Sequence, residues 1–133
     1  MDKPSIIVSE SDFTRLTRLA QSASGAQLDV AEELLTELDR AQVIPDEQTR
    51  SDIVQMGSTV TYDTDAGHTR TVTVVYPGEA DIERSLISIM TPIGAALLGL
   101  SPGQSIGWVG RDNSKHTLTV TRVEKVAIPE IGF

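Results

Sequence analysis

The sequence predicts an α+β fold: a short N-terminal antiparallel helical hairpin with coiled-coil spacing, then a small sheet of about five strands curled over one short helix. Three observations carry this. Phe13, Leu16, Ala20 and Ala23 are spaced three, four, three, and Ala31, Leu34, Leu38 and Ala41 repeat that spacing after a break at Ser24-Gly25-Ala26. The second half of the chain holds Thr- and Val-rich alternating runs punctuated by Gly, Asp and Asn. Between two of those runs lies Thr91–Ile106, TPIGAALLGLSPGQSI, a compact helix-and-turn signal.

In chain order, Ser5–Val8 is a short apolar run, expected to lie extended against the rest of the protein. Ser9 or Ser11 caps the first helix, with Asp12 favourable in its first turn. The second helix is expected to start at Asp29, and the short break makes the two helices antiparallel, seam to seam. At 1.5 Å per residue each arm is only about 18–21 Å long. Arg15 and Arg18 on the first helix can meet Glu32, Glu33, Glu37 and Asp39 on the second, although exposed pairs contribute little. Pro45-Asp46-Glu47 ends the helix. The division expected is residues 1–45 as hairpin, 46–52 as linker and 53–133 as the second domain.

In that second domain Thr59–Asp63 and Thr69–Tyr76 form a hairpin around Thr64–His68, and Leu86–Met90 is a third strand. Thr91 then stands as N-cap and Pro92 at the first helical position, where a missing N–H costs nothing. Ile93, Ala96, Leu97 and Leu100 recur at helical spacing, and Gly99 sits where a short helix stops. Ser101-Pro102-Gly103 is a turn of type II character, because Pro presets φ and Gly accepts a positive one. Ser105–Val109 and His116–Glu124 close the sheet as a hairpin around Gly110–Ser114. Trp108 shares a strand face with Ile106, and both are expected in the core; residues 127–133 are an unassigned tail.

Composition excludes several functions. There is no cysteine, hence no disulfide scaffold, thiolate nucleophile or cysteine-based zinc site. His68 and His116 have no partner at metal-ligand spacing and read as surface residues, so no metal and no cofactor is expected. Neither a phosphate-binding glycine loop nor a Gly-x-Ser-x-Gly elbow around Ser85 or Ser88 is present. No run approaches the roughly 18 apolar residues that span a membrane, and the N-terminus lacks the pattern of a secretory signal. A cytoplasmic location is expected. The net charge of −8 argues against independent nucleic-acid binding, which needs a basic face, and suits a protein that meets a basic protein surface.

The Thr91–Ile106 stretch resembles the C-terminal signature of the Gre factors, a Ser-Pro-x-x-x-x-Leu-Leu/Ile-Gly run followed by a Gly-Asp turn and a strand. Thr91 replaces the usual Ser and Gln104 the usual Asp. The resemblance reaches back through Gly78-Glu79-Ala80-Asp81, which is similar to a GEDEAD-type stretch of that family. Pro4–Val8, Glu37–Ala41 and Pro92–Leu100 further resemble the Rnk branch of the Gre superfamily, whose N-terminal hairpin is short, so the likeness covers almost the whole chain. It implies an FKBP-like arrangement of the second domain. It also implies binding to bacterial RNA polymerase at the rim of the secondary channel, in competition with other channel factors.

The same resemblance names the site residues. Gre factors dock through their C-terminal domain, with the loop leading into Ser-Pro touching polymerase; carried over, that names Met90, Thr91 and Pro92, Met90 standing where many Gre factors have an acidic or amide residue. Gre factors also hold a metal with an Asp-x-x-Glu pair at the tip of a long coiled coil, and Asp29 and Glu32 have that spacing. Asp29 and Glu32 also read as the N-cap and N3 residues of a capping box, and the short arm favours this. The surrounding Gre tip pattern is absent, so no transcript cleavage and no catalytic residue is expected. A monomer is expected, with hairpin-to-hairpin pairing the other arrangement open. The alternatives to polymerase binding are an FKBP-like peptidyl-prolyl isomerase, for which five aromatic residues provide little pocket lining, and a general protein-interaction domain.

Overall fold

The structure, a computed structural model, describes residues 6–48, 52–109 and 114–125. The chain begins with a strand, β1 (Ile7–Ser9), which runs directly into helix α1 (Glu10–Gln21). Ser9 is the N-cap, its hydroxyl accepting the Asp12 amide at 3.2 Å. A 3-10 turn at Gly25–Gln27 reverses the chain into helix α2 (Leu28–Arg40), which is followed by strand β2 (Gln42–Ile44).

The expected seam is present. Leu16 and Ala20 of α1 and Ala31, Leu34 and Leu38 of α2 are buried, with Phe13, Ala23 and Ala41 packed half-buried beside them. Glu37, read as an outward partner for α1, instead lies inside at 2% exposure. Arg40 grips it with two hydrogen bonds, Nε at 2.9 Å and Nη2 at 2.8 Å. A buried carboxylate is tolerable on these terms because its charge is paired and both oxygens accept. Strand β2 is an addition to the sequence reading. It pairs in parallel with β1, Val8 opposite Val43, so the two ends of the hairpin are stitched to each other.

Helix α2 starts at Leu28, not Asp29, and the expected capping box is not formed. Gln27 is the N-cap, with no side-chain hydrogen bond. The cause is Gly25, whose φ of +63° admits the 3-10 turn; the chain therefore arrives at Gln27 already near-helical (φ −90°, ψ −5°). Asp29 is then the second residue of the helix and has no free turn to close.

The second half forms one five-stranded sheet in the order β5-β4-β3-β7-β6. Its strands are β3 (Ser58–Thr64), β4 (Thr69–Val75), β5 (Leu86–Ser88), β6 (Ser105–Val109) and β7 (Lys115–Lys125). All neighbours are antiparallel except β4 and β5. Alternation sorts the faces: Val60, Tyr62, Val72, Val74, Leu118 and Val120 point into the core. The other face carries threonine pairs across strands, Thr59 with Thr73 at 2.9 Å and Thr61 with Thr71 at 3.0 Å.

Helix α3 (Pro92–Leu97) packs against β6 on one side and α2 on the other. Leu97, Leu98 and Leu100 are each at most 1% exposed, and removing each from water contributes about 1.5–3 kcal/mol. The buried side chains of the hairpin, of α3 and of the sheet form one continuous cluster. The side chain of Trp108, the turn at 110–113 and the tail at 127–133 lie outside the described residues.

Candidate functional site

The segment Ser88–Leu100 is held by a dense local network. The Ser88 carbonyl accepts both the Thr91 hydroxyl, at 2.7 Å, and the Thr91 amide, at 3.1 Å. The Ser88 hydroxyl accepts the Met90 amide at 2.9 Å. Thr91 is the N-cap of α3 as expected, its hydroxyl accepting the Gly94 amide at 3.1 Å, and Pro92 follows at the first helical position. A Cβ on Gly94 would run into the Ser88 carbonyl, so only glycine lets the helix start this close to the strand it leaves.

Gly99 ends the segment with φ +80° against the N-terminal strand. Its amide donates to Val54 at 2.9 Å, and its carbonyl accepts the Ile7 amide at 3.2 Å. The turn after it is the one expected: Gln104 N–H reaches the Ser101 carbonyl at 3.1 Å, and Gly103 takes φ +92°.

This geometry separates the expected docking residues. Thr91 and Pro92 are half-exposed, on a hydrogen-bonded start of helix. Met90 is 6% exposed and belongs to the core cluster, so it supports the loop from below and presents no side chain. An apolar residue at that position is drawn inward by burial, whereas an acidic or amide one would stay in water.

Asp29 and Glu32 lie on one exposed face in the first turns of α2, at the hairpin tip. Among the described residues no group of three or more acidic or imidazole side chains is placed to hold a metal ion. His68 is exposed, and His116 stands 3.9 Å from the Asp65 carboxylate beside the turn joining β3 and β4.

Sequence reasoning missed an open cleft of about 470 Å³ at the base of the hairpin, lined by Glu10, Ser11, Thr14, Arg15, Arg18, Asp46 and Glu47. Its closing contact joins residues 35 apart: Asp46 accepts the Ser11 amide at 3.0 Å and the Ser11 hydroxyl. These hydrogen bonds from the hydroxyl and the amide, with the positive charge of Arg15 nearby, hold the Asp46 carboxyl below its ordinary value of 3.8. Behind the helix, burial pushes the Tyr76 phenol up, and the Asp12 carboxylate adds to this while Arg15 opposes it. Asp12 also accepts the Met56 amide at 3.2 Å, which fastens α1 to the segment leading into the sheet. No local motif announces these contacts, because each is made between segments distant in sequence.

Comparison with known proteins bears on both halves. Residues 48–125 match the family model for the C-terminal region of the transcription elongation factors GreA and GreB, and residues 4–44 match the model for the Rnk N-terminus. The chain is 39% identical over 109 residues to the regulator of nucleoside diphosphate kinase of Escherichia coli strain K12, covering 81% of this chain and 80% of that protein. It is 41% identical over 70 residues to transcription elongation factor GreA of Paracoccus denitrificans, covering 52% of this chain and 44% of that one. Among solved structures, a GreA/GreB elongation factor from Nitrosomonas europaea is similar, with a TM-score of 0.71 and 32% identity over 92% of this chain and 99% of that one.

Proposed function

This chain belongs to the GreA/GreB family, in its Rnk branch, and from that premise we propose that it docks on bacterial RNA polymerase at the rim of the secondary channel. In this reading the C-terminal half, residues 53–133, is the docking unit, and Thr91 and Pro92 are contact residues. The hairpin, residues 1–45, occupies the channel entrance and excludes longer-armed Gre factors. The protein is a non-catalytic regulator that works as a monomer and does not need to bind nucleic acid itself.

The observation that carries the reading is the contrast between the two halves. The Thr-Pro start of α3 is built as a rigid, half-exposed corner, with hydrogen bonds of 2.7–3.1 Å on the Ser88 carbonyl and Thr91 hydroxyl. The arm is short: α1 has 12 residues and α2 has 13, about 18–20 Å at 1.5 Å per residue. Catalysis at an RNA 3′ end needs carboxylates placed to within about an ångström. A short arm that carries two exposed carboxylates and has no local tip motif fits obstruction better than chemistry.

The test is binding of the full chain to purified core RNA polymerase with a Gre factor as competitor, together with transcript cleavage on stalled elongation complexes. Competitive binding without stimulated cleavage is the expected result. Absence of binding, or stimulation of cleavage by the unaltered chain, overturns the proposal.

A further inference from the structure

Ile82 is the most exposed large apolar side chain among the described residues, at 90%. Exposed aliphatic residues on slack loops are common, but this loop is not slack. Ile82–Arg84 is a single 3-10 turn capped by Asp81, whose carboxylate accepts the Glu83 amide at 3.1 Å. Asp81 and Leu86 exchange backbone hydrogen bonds at 2.8 and 2.9 Å, closing the loop at its neck. The Thr73 amide donates to the Ser85 carbonyl at 2.9 Å, tying the loop to β4. Ser85 closes the turn at φ 60°, the one non-glycine residue with positive φ among those described. The loop therefore holds its shape while leaving an isoleucine in water.

The surroundings of Ile82 select a kind of partner. Beside it in the chain, Glu79, Asp81 and Glu83 are exposed, and Arg84 is the one cation within residues 79–85. An apolar tip in an acidic collar complements an apolar pocket with a cationic rim, and it is repelled by acidic surfaces and by phosphate backbones. The loop also sits beside the corner already described: the three-residue strand β5 links its neck to the Ser88–Thr91 turn, a span of about 7 Å.

We propose that Ile82 is the hydrophobic anchor of the docking surface, entering an apolar pocket on the polymerase whose rim is basic, while Thr91 and Pro92 make the neighbouring contact. This rests on the proposed function and adds to it a residue and a recognition chemistry. Because the loop is ordered before contact, little conformational freedom is lost on binding.

The experiment measures the affinity of the full chain for purified core RNA polymerase, with thermal unfolding of each variant alongside. Ile82→Asp should weaken binding tenfold or more at unchanged unfolding temperature, because the side chain makes almost no contact within the folded chain. Ile82→Leu should bind within about threefold of the unaltered chain. The pair Glu79→Lys with Glu83→Lys should also weaken binding and reduce its sensitivity to salt. Binding by the unaltered chain that Ile82→Asp leaves within twofold overturns the anchor and leaves the proposed function standing. No binding by the unaltered chain overturns the proposed function, and with it the assignment of this loop to polymerase.

Discussion

Gly99→Ala is the sharpest test of how the two halves are joined. Gly99 has φ +80°, and a Cβ built on it would lie 2.6 Å from the Ile6 Cβ and 3.2 Å from the backbone N and O of Ile7. Two penalties therefore combine. An alanine held in the left-handed region costs about 1 kcal/mol relative to glycine. Forcing a methyl into a packed contact costs about 1–3 kcal/mol more, since Ile6 is buried with its carbonyl held by the Gln42 amide and Ile7 is paired in β1, so neither can retreat cheaply. The total is about 2–4 kcal/mol, and for a chain of this length that lowers the unfolding temperature by about 7–14 °C. Gly103→Ala and Gly67→Ala supply the controls, because their φ values are +92° and +85° but nothing lies within 4 Å of the added Cβ. They should lose only the conformational part, about 4 °C. Thermal unfolding followed by circular dichroism on the three variants decides the matter. If Gly99→Ala falls no further than Gly103→Ala, the close approach of α3 to the N-terminal strand is not a rigid contact.

Three further outcomes are expected. Pro92→Asn should weaken polymerase binding with little change in unfolding temperature, since proline at the first helical position donates nothing to the helix and Asn is tolerated near a cap; unchanged affinity in the folded variant removes Pro92 from the docking surface. Asp29→Ala with Glu32→Ala should cost at most about 1 kcal/mol, the helix-dipole contribution of exposed acids without a cap, and should leave cleavage on stalled complexes at background. A larger loss would reinstate the capping box, and cleavage by the unaltered chain that the double variant loses would make both residues metal ligands. The Asp46 clasp should show in the acid limb. A carboxyl whose folded pKa lies below its unfolded one stabilises the fold above the ordinary carboxylate range, and that contribution fades as pH falls below about 4. Asp46→Asn should therefore flatten the fall of unfolding temperature between about pH 5 and pH 2; an unchanged acid limb would mean that the clasp does not survive in solution.

The parts of this molecule written in short-range code were legible in its sequence. The five strands, the Thr91 cap, Pro92 at the helix start and the Ser101–Gln104 turn each depend on a few adjacent residues, and each is present. What was not legible depends on distant partners. Strand β2 exists because β1 offers it an edge, and neither segment announces the other. Glu37 looked like a surface acid because only the folded hairpin decides which way its face turns. The misread start of α2 is different, since Gly25 was visible but its effect on Gln27 depends on a turn type that residue identity does not select. For the candidate site, local chemistry gave Thr91 as a cap and Pro92 as a helix start, and only the resemblance to the Gre signature named them as docking residues. The exposed Ile82 was not found, because an isoleucine between acids reads equally well as core.

The stitching of β1 to β2 has an evolutionary and engineering meaning. A hairpin whose two feet are clamped side by side, with α2 packed on α3 and an exposed tip at Gly25 and Gln27–Asp29, is held away from its tip, so its reach can vary without disturbing its attachment. Seven residues added to each helix near Gly25 would carry the seam through another repeat and move the tip outward by about 10 Å, leaving the feet and the sheet untouched. Arms of different reach can thus be exchanged on one body, and a short finger and a long one need differ only in the number of repeats between the same two strands.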